Sequence, residues 1–161
     1  MEMANLIFMK IKGKTQGLIS EGCLSVNSVG NKHISGHEDE IFVYATNYDL
    51  SRDRNVNHHP FSITKPIDKS TPLLLISIAN NELLECELNY YRTSSSGKQE
   101  NYMTIALKDA SIINISNQNP NSLTHNEVQP FETIAFRYES ITCQHNIAGT
   151  SGYSILTEYM Y

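Results

Sequence analysis

The stretch from Phe61 to Pro72, followed at once by Leu73-Leu74-Leu75-Ile76-Ser77-Ile78-Ala79, leaves this chain few ways to fold. Phe61, Ile63 and Lys65 alternate with Ser62 and Thr64, which is the period of a strand. Pro66 has no amide hydrogen to give a sheet ladder, so the strand ends near it. Ser70 or Thr71 can cap a helix by accepting an orphan amide hydrogen, and Pro72 suits a first turn, where a missing N–H costs nothing. The spacing places the cap at Thr71 and Pro72 at the first helical position. Asn80-Asn81 weakens the helix at its far end. The segment therefore predicts a strand, a tight connection and a short helix.

Strand periodicity governs the rest. Asn5 to Ile11 is apolar, punctuated by lysines, and closed by Gly13 and Gly17. A short strand is expected over Gly22 to Val26, a polar loop over Gly30 to Gly36, and a strand over Glu40 to Thr46 with Ile41, Val43 and Ala45 on one face. Asn47 to His59 is a long polar loop carrying Asp49, Arg52, Asp53 and Arg54, and long loops in small domains are usually functional or interacting. Leu84, Cys86, Leu88 and Tyr90 face away from Glu85, Glu87, Asn89 and Tyr91, as in a half-buried antiparallel strand. Ser94 to Lys98 reads as a hairpin turn, with return strands over Asn101–Leu107 and Ala110–Ser116. Asn117 to Pro130 is a second long loop. Phe131 to Cys143 reads as one long strand with Ile134, Phe136 and Tyr138 on one side; Ala148 to Gly152 is a turn before a last strand, Tyr153 to Glu158. About eight strands and one helix predict a mainly-β fold. Two antiparallel sheets form a tight β-barrel or sandwich with one short flanking α-helix, as a single domain over residues 1–161.

Bulk properties narrow the function. No apolar run reaches the ~18 residues that span a bilayer, and 12 basic against 17 acidic residues argue against a nucleic-acid surface. Lys10, Lys12 and Lys14 share one strand face and read as a solvated face. Leu6-Ile7-Phe8-Met9 is too short for the core of a cleaved leader, and Glu2 stands where a leader carries positive charge, so export by that route is not expected. Met3 can serve as the start as well as Met1. Cys23, Cys86 and Cys143 are an odd, widely spaced set and read as buried free thiols of a protein made in a reducing compartment.

No active site assembles from the motifs. His33 and His37 are four apart but lie in a loop, and no Cys-x-x-Cys or His-Glu-x-x-His spacing supports a metal. Cys143 and His145 share a strand face without an orienting partner. Gly149-Thr150-Ser151-Gly152 is neither a nucleophile elbow nor a phosphate loop, and Glu85 and Glu87 suit a polar sheet face better than a glycosidase pair. The residues thus predict no catalytic, cofactor or metal site. A small ligand-binding barrel remains open as a second function class.

Thr64-Lys65-Pro66-Ile67-Asp68-Lys69-Ser70-Thr71-Pro72 closely resembles the corresponding run of the hemolysin-coregulated protein (Hcp) family. Gly36-His37-Glu38-Asp39-Glu40-Ile41, Asn81-Glu82-Leu83-Leu84-Glu85-Cys86, Ser122-Leu123-Thr124-His125-Asn126 and Ala148-Gly149-Thr150-Ser151-Gly152-Tyr153 resemble its enterobacterial-type branch, so that the likeness runs from about Ala4 to Tyr161. The resemblance implies a non-enzymatic tube subunit of the type VI secretion system. Such subunits form homohexameric rings that stack into a tube, carry effector proteins in the lumen, and meet a contractile sheath and a spike protein. It implies synthesis in a bacterial cytoplasm and secretion without a cleaved leader or membrane insertion. By position, Asp49, Arg52, Asp53 and Arg54 are expected to reach the neighbouring ring.

Overall fold

The computed structural model describes residues 5–156. Its elements run β1 Leu6–Gly13, β2 Gly17–Leu18, α1 Val26–Val29, β3 Ile41–Val43, β4 Ala45–Asn47, β5 Leu50–Arg52, β6 Val56–His58, β7 Phe61–Pro66, α2 Ser70–Ala79, β8 Leu84–Thr93, β9 Gln99–Gln118, β10 Phe131–Arg137, β11 Ser140–His145 and β12 Thr150–Ile155. The last strand was expected to reach Glu158, which lies outside the described residues.

The long strand β9 organises the fold. Its first part pairs antiparallel with β8 on one side and β11 on the other, and its last part pairs with β10. β10 continues to β7 and β7 to β4, while β8 continues to β1 and β1 to β3. Only Tyr44 separates β3 from β4, and its N–H donates to Thr64 O at 2.7 Å. Pairing therefore runs in a circuit through β1, β8, β9, β10, β7, β4 and β3 back to β1. This is the tight barrel that the alternation predicts, with α2 flanking it. Met9, Ile11, Ile41, Phe61, Ile63, Leu74, Leu88, Ile134 and Phe136 are fully buried and fill its interior. Leu84, Cys86, Leu88 and Tyr90 point inward as expected. Glu87 and Glu85 stand outside, opposite Lys10 and Lys12 in register, which accounts for the lysine face as a cross-strand ladder of opposite charges.

Four expectations about the strands change, and one about the helix cap. The strand over Gly22–Val26 is absent: Gly22 turns the chain at φ 69°, Cys23 and Leu24 are buried in succession, and a one-turn helix α1 follows. The strands over Asn101–Leu107 and Ala110–Ser116 are one strand of 20 residues with a bulge, where Asp109 has φ 49°. Conversely, Phe131–Cys143 is two strands, because the chain turns at Tyr138-Glu139 and crosses from β7's side of the barrel to β9's first half. The two corners meet: Glu139 N–H donates to Lys108 O at 3.0 Å. The loop Asn47–His59 contains the β5–β6 hairpin, whose three-residue strands are too short to show a period.

Helix α2 begins at Ser70, one residue ahead of the expected Thr71 cap. Asp68 takes the capping part instead, its Oδ1 accepting the Ser70 N–H at 2.9 Å, while Thr71 Oγ1 accepts the Asp68 N–H at 3.1 Å. Pro72 still falls in the first turn, where its missing donor is harmless. At the far end Asn81 adopts φ 50°, Glu82 N–H donates to Ser77 O at 3.0 Å and Asn81 N–H to Ile78 O at 3.4 Å, which closes a Schellman motif with asparagine in the left-handed position.

That motif delivers the Glu82 carboxylate to the β1–β2 turn. Oε2 accepts the Thr15 and Gln16 N–H groups, both at 2.7 Å; Oε1 accepts Gln16 Nε2 at 2.7 Å and Ser77 Oγ at 3.1 Å. Gly13 permits the approach, since a Cβ there would lie 2.4 Å from Glu82 Oε2. Two hydrogen bonds fix that oxygen and two more its partner Oε1, so Gly13→Ala is expected to cost about 1–3 kcal/mol in urea unfolding, by the overpacking mechanism. Burial alone would raise the Glu82 pKa, but the bonds from Gln16, Thr15 and Ser77 together carry it below the ordinary value of 4.5. A depressed carboxylate stabilises the fold above the unfolded value and loses that contribution as pH falls through the folded one. Thermal unfolding measured from pH 4.5 downward is therefore expected to fall less steeply for Glu82→Gln than for the parent chain.

Candidate functional site

Two places concentrate polar chemistry. The first lies where β7 leads into α2. Lys65 shares the inward face of β7 with Phe61 and Ile63 and is fully buried. Its Nζ donates to Glu132 Oε2 at 2.5 Å and Pro66 O at 2.9 Å, and lies 3.0 Å from Asp68 Oδ1. Thr71 Oγ1 donates to the same Glu132 oxygen at 2.7 Å, and Ser70 Oγ donates to Asp68 Oδ1. Five side chains and the Pro66 carbonyl thus form one network, with Asp68 Oδ2 lacking a partner. Around it, Thr64 sits in the β7 ladder, Ile67 and Pro72 face solvent, and the exposed Lys69 donates its N–H to Ser28 Oγ at 2.8 Å. The nearby Cys23 thiol is pushed up to about 12, by burial first and by the Asp68 charge second, so it stays protonated and unreactive.

This cluster ties a strand to a helix. Each oxygen and the ammonium is committed to another protein group or sealed from water, so no reacting atom has room. The run Thr64–Pro72 is therefore a folding device. Glu132, its missing member, could have been found: it shares a strand face with Ile134, Phe136 and Tyr138, a lone carboxylate on a core face just as Lys65 is a lone ammonium. The two stand directly opposite each other in the β7–β10 register.

The second place is the β5–β6 hairpin, which stands apart from the barrel ladder. Asp49, Arg52, Asp53 and Arg54 are all exposed, and among the described residues no ion pair joins them. Its root is anchored where Tyr48 stacks on Phe61, with centroids 5.1 Å apart and planes 14° apart, and where His59 N–H donates to Asp49 O at 3.1 Å. His58 Nε2 meets Ser154 Oγ on β12 at 2.8 Å.

Other residues considered from sequence are accounted for structurally. His37 stacks on Phe8 at 3.9 Å and bonds Glu40 Oε1 at 2.7 Å, while His145 Nδ1 accepts the Ala148 N–H at 3.0 Å and holds a turn. Among the described residues no three His, Cys, Asp or Glu side chains gather to hold a metal ion, and no helix is long and apolar enough to cross a membrane.

Comparison with known proteins gives one answer. The family model described as "Type VI secretion system effector, Hcp" matches residues 8–145. The "Major exported protein" of Pseudomonas aeruginosa is 38% identical, the match covering 93% of this chain and 94% of that protein. A solved structure named as an Hcp protein superposes with a TM-score of 0.91 at 34% identity, covering 97% of this chain and all of that one. The secreted protein Hcp3 from Pseudomonas aeruginosa superposes with a TM-score of 0.87 at 38% identity, covering 96% of this chain and all of that one. A match over most of the chain in sequence, and over nearly all of it in backbone, is more than a shared barrel architecture produces, and the chain belongs to the Hcp family of the type VI secretion system.

Proposed function

We propose that this chain is a structural, non-enzymatic tube subunit. Six copies form a ring, rings stack into a tube, and the tube leaves the cell carrying effector proteins in its lumen. Family membership across the whole barrel is the observation that supports this reading most. The monomer suits it. A ring closes only through a heterologous interface, in which two different patches of one chain meet. The chain offers two unlike surfaces: an apolar outer helix face, where Leu75 and Ile76 are 64% and 43% exposed, and a polar hairpin projecting from the barrel. The filled interior favours this role over a small-ligand barrel.

In this reading the hairpin residues Asp49, Arg52, Asp53 and Arg54 touch the adjacent ring, while sheath and spike meet the assembled tube. The protein is made in the bacterial cytoplasm and then secreted; export agrees with the name of its relative, the "Major exported protein". The test is the absolute mass of the purified protein by light scattering, at low and moderate salt. A species near six times 18.2 kDa is expected. A monomer at high protein concentration would remove the main physical support for the ring.

A further inference from the structure

The β5–β6 hairpin depends on its tethers to the barrel, because an isolated two-stranded ribbon is marginal by itself. One of them is His58, the last residue of β6, which pairs with Leu50 at the root of the hairpin. Its Nε2 lies 2.8 Å from Ser154 Oγ, and its ring packs edge-on against Tyr138, with centroids 5.6 Å apart and planes at 90°. Its other nitrogen, Nδ1, is sealed from solvent and has no partner; neither has the Tyr138 hydroxyl. The same residues line a cavity of about 230 Å³ with His59, Pro60, Ile113, Arg137 and Leu156.

We propose that His58 is an acid-sensitive clasp: neutral, it pins the hairpin to β12; protonated, it releases it. Neutral His58 needs one polar partner, and Ser154 supplies it. In the protonated ring both nitrogens carry a hydrogen, whichever held it before; nothing accepts the one on Nδ1, and the charge sits in a largely apolar pocket. The titratable and charged groups around the ring are Tyr138 and Arg137 from the end of β10 and the neighbouring His59; β12 and β9 contribute only Ser154 and Ile113. Burial holds the Tyr138 hydroxyl protonated, so no anion forms there to receive the new charge. Burial likewise holds the His58 pKa below its ordinary 6.5. The released state binds the proton more readily than the clasped one, so the clasp is intact above pH 6.5 and weakens as pH falls below it, until the clasped form is itself protonated.

The clasp stands on the geometry of His58, Ser154 and Tyr138 and does not depend on the tube reading. The test is hydrogen exchange of the hairpin amides in the full chain at about pH 7.5 and about pH 5.5, corrected for intrinsic rates. A several-fold loss of hairpin protection at acid pH is expected, because the released form takes up the proton more readily than the clasped one. His58→Gln keeps an amide nitrogen toward Ser154 and cannot take up a proton, so its hairpin is expected to exchange equally at both pH values. His59→Gln is expected to keep the acid response. Equal acid loosening in His58→Gln, or none in the parent chain, overturns the proposal. If the exchange behaves as expected but no ring forms at either pH, the clasp stands and the tube reading fails.

Discussion

Glu132→Ala is expected to lower the unfolding free energy by about 3–5 kcal/mol, the cost of leaving a buried charge without its partner. Lys65 is fully buried, and Glu132 is its 2.5 Å contact as well as the acceptor for Thr71. Removing the carboxylate leaves Nζ held only by Asp68 Oδ1 and Pro66 O, and leaves the Thr71 hydroxyl without its acceptor. The double variant Lys65→Met with Glu132→Leu is expected to recover most of the loss, because both charges go and the volume is kept. Asp68 survives in that variant, since the Ser70 N–H and hydroxyl still bond it. Urea midpoints at one fixed protein concentration read both results, because assembly would otherwise shift them. An unrecovered double variant would show that the ionic cluster stabilises the β7–α2 junction beyond what packing can replace.

The chain's own alternation explains which parts of this fold are legible. β8 keeps one parity from Leu84 to Leu88 and β7 from Phe61 to Lys65, so their inward faces could be named residue by residue over those runs. The misreadings fall where parity slips. Inward residues on β9 change from Ile105 and Leu107 to Ala110 and Ile112, and after Tyr138 they change to Ile141. Each slip is a corner of the barrel, and the two corners touch at Glu139 and Lys108. A slip within an otherwise regular pattern marks a bulge or a turn, which a reading that joins or divides strands by composition passes over. Caps behave differently. Thr71 looked like the helix cap because it precedes Pro72, but a cap is decided by which side chain reaches the free N–H groups, and Asp68 does so from outside the helix. The clasp histidine was legible only as one of several polar loop residues, since its partner Ser154 lies 96 residues away.

Neutralising the hairpin tip tests the stacking surface without disturbing net charge. The quadruple variant Asp49→Asn, Arg52→Gln, Asp53→Asn, Arg54→Gln removes two acids and two bases, so the chain keeps its charge of −5. In the proposed ring six copies would carry about −30 in parent and variant alike, so stacking is expected to strengthen as salt screens that repulsion in both proteins. The difference between the two therefore reports the hairpin contacts. An exposed ion pair is worth about 0.5 kcal/mol, and six repeats around a ring give about 3 kcal/mol, roughly a hundredfold in the stacking constant. The four side chains are exposed and form no ion pair among the described residues, so the six-chain species of the proposed ring is expected to persist at unchanged mass. Light scattering at low salt should then show the larger species receding to rings in the variant, with the gap narrowing as salt rises. A variant that stacks as well as the parent chain would move the stacking contact to another surface, the apolar helix face first, while leaving the ring itself untouched.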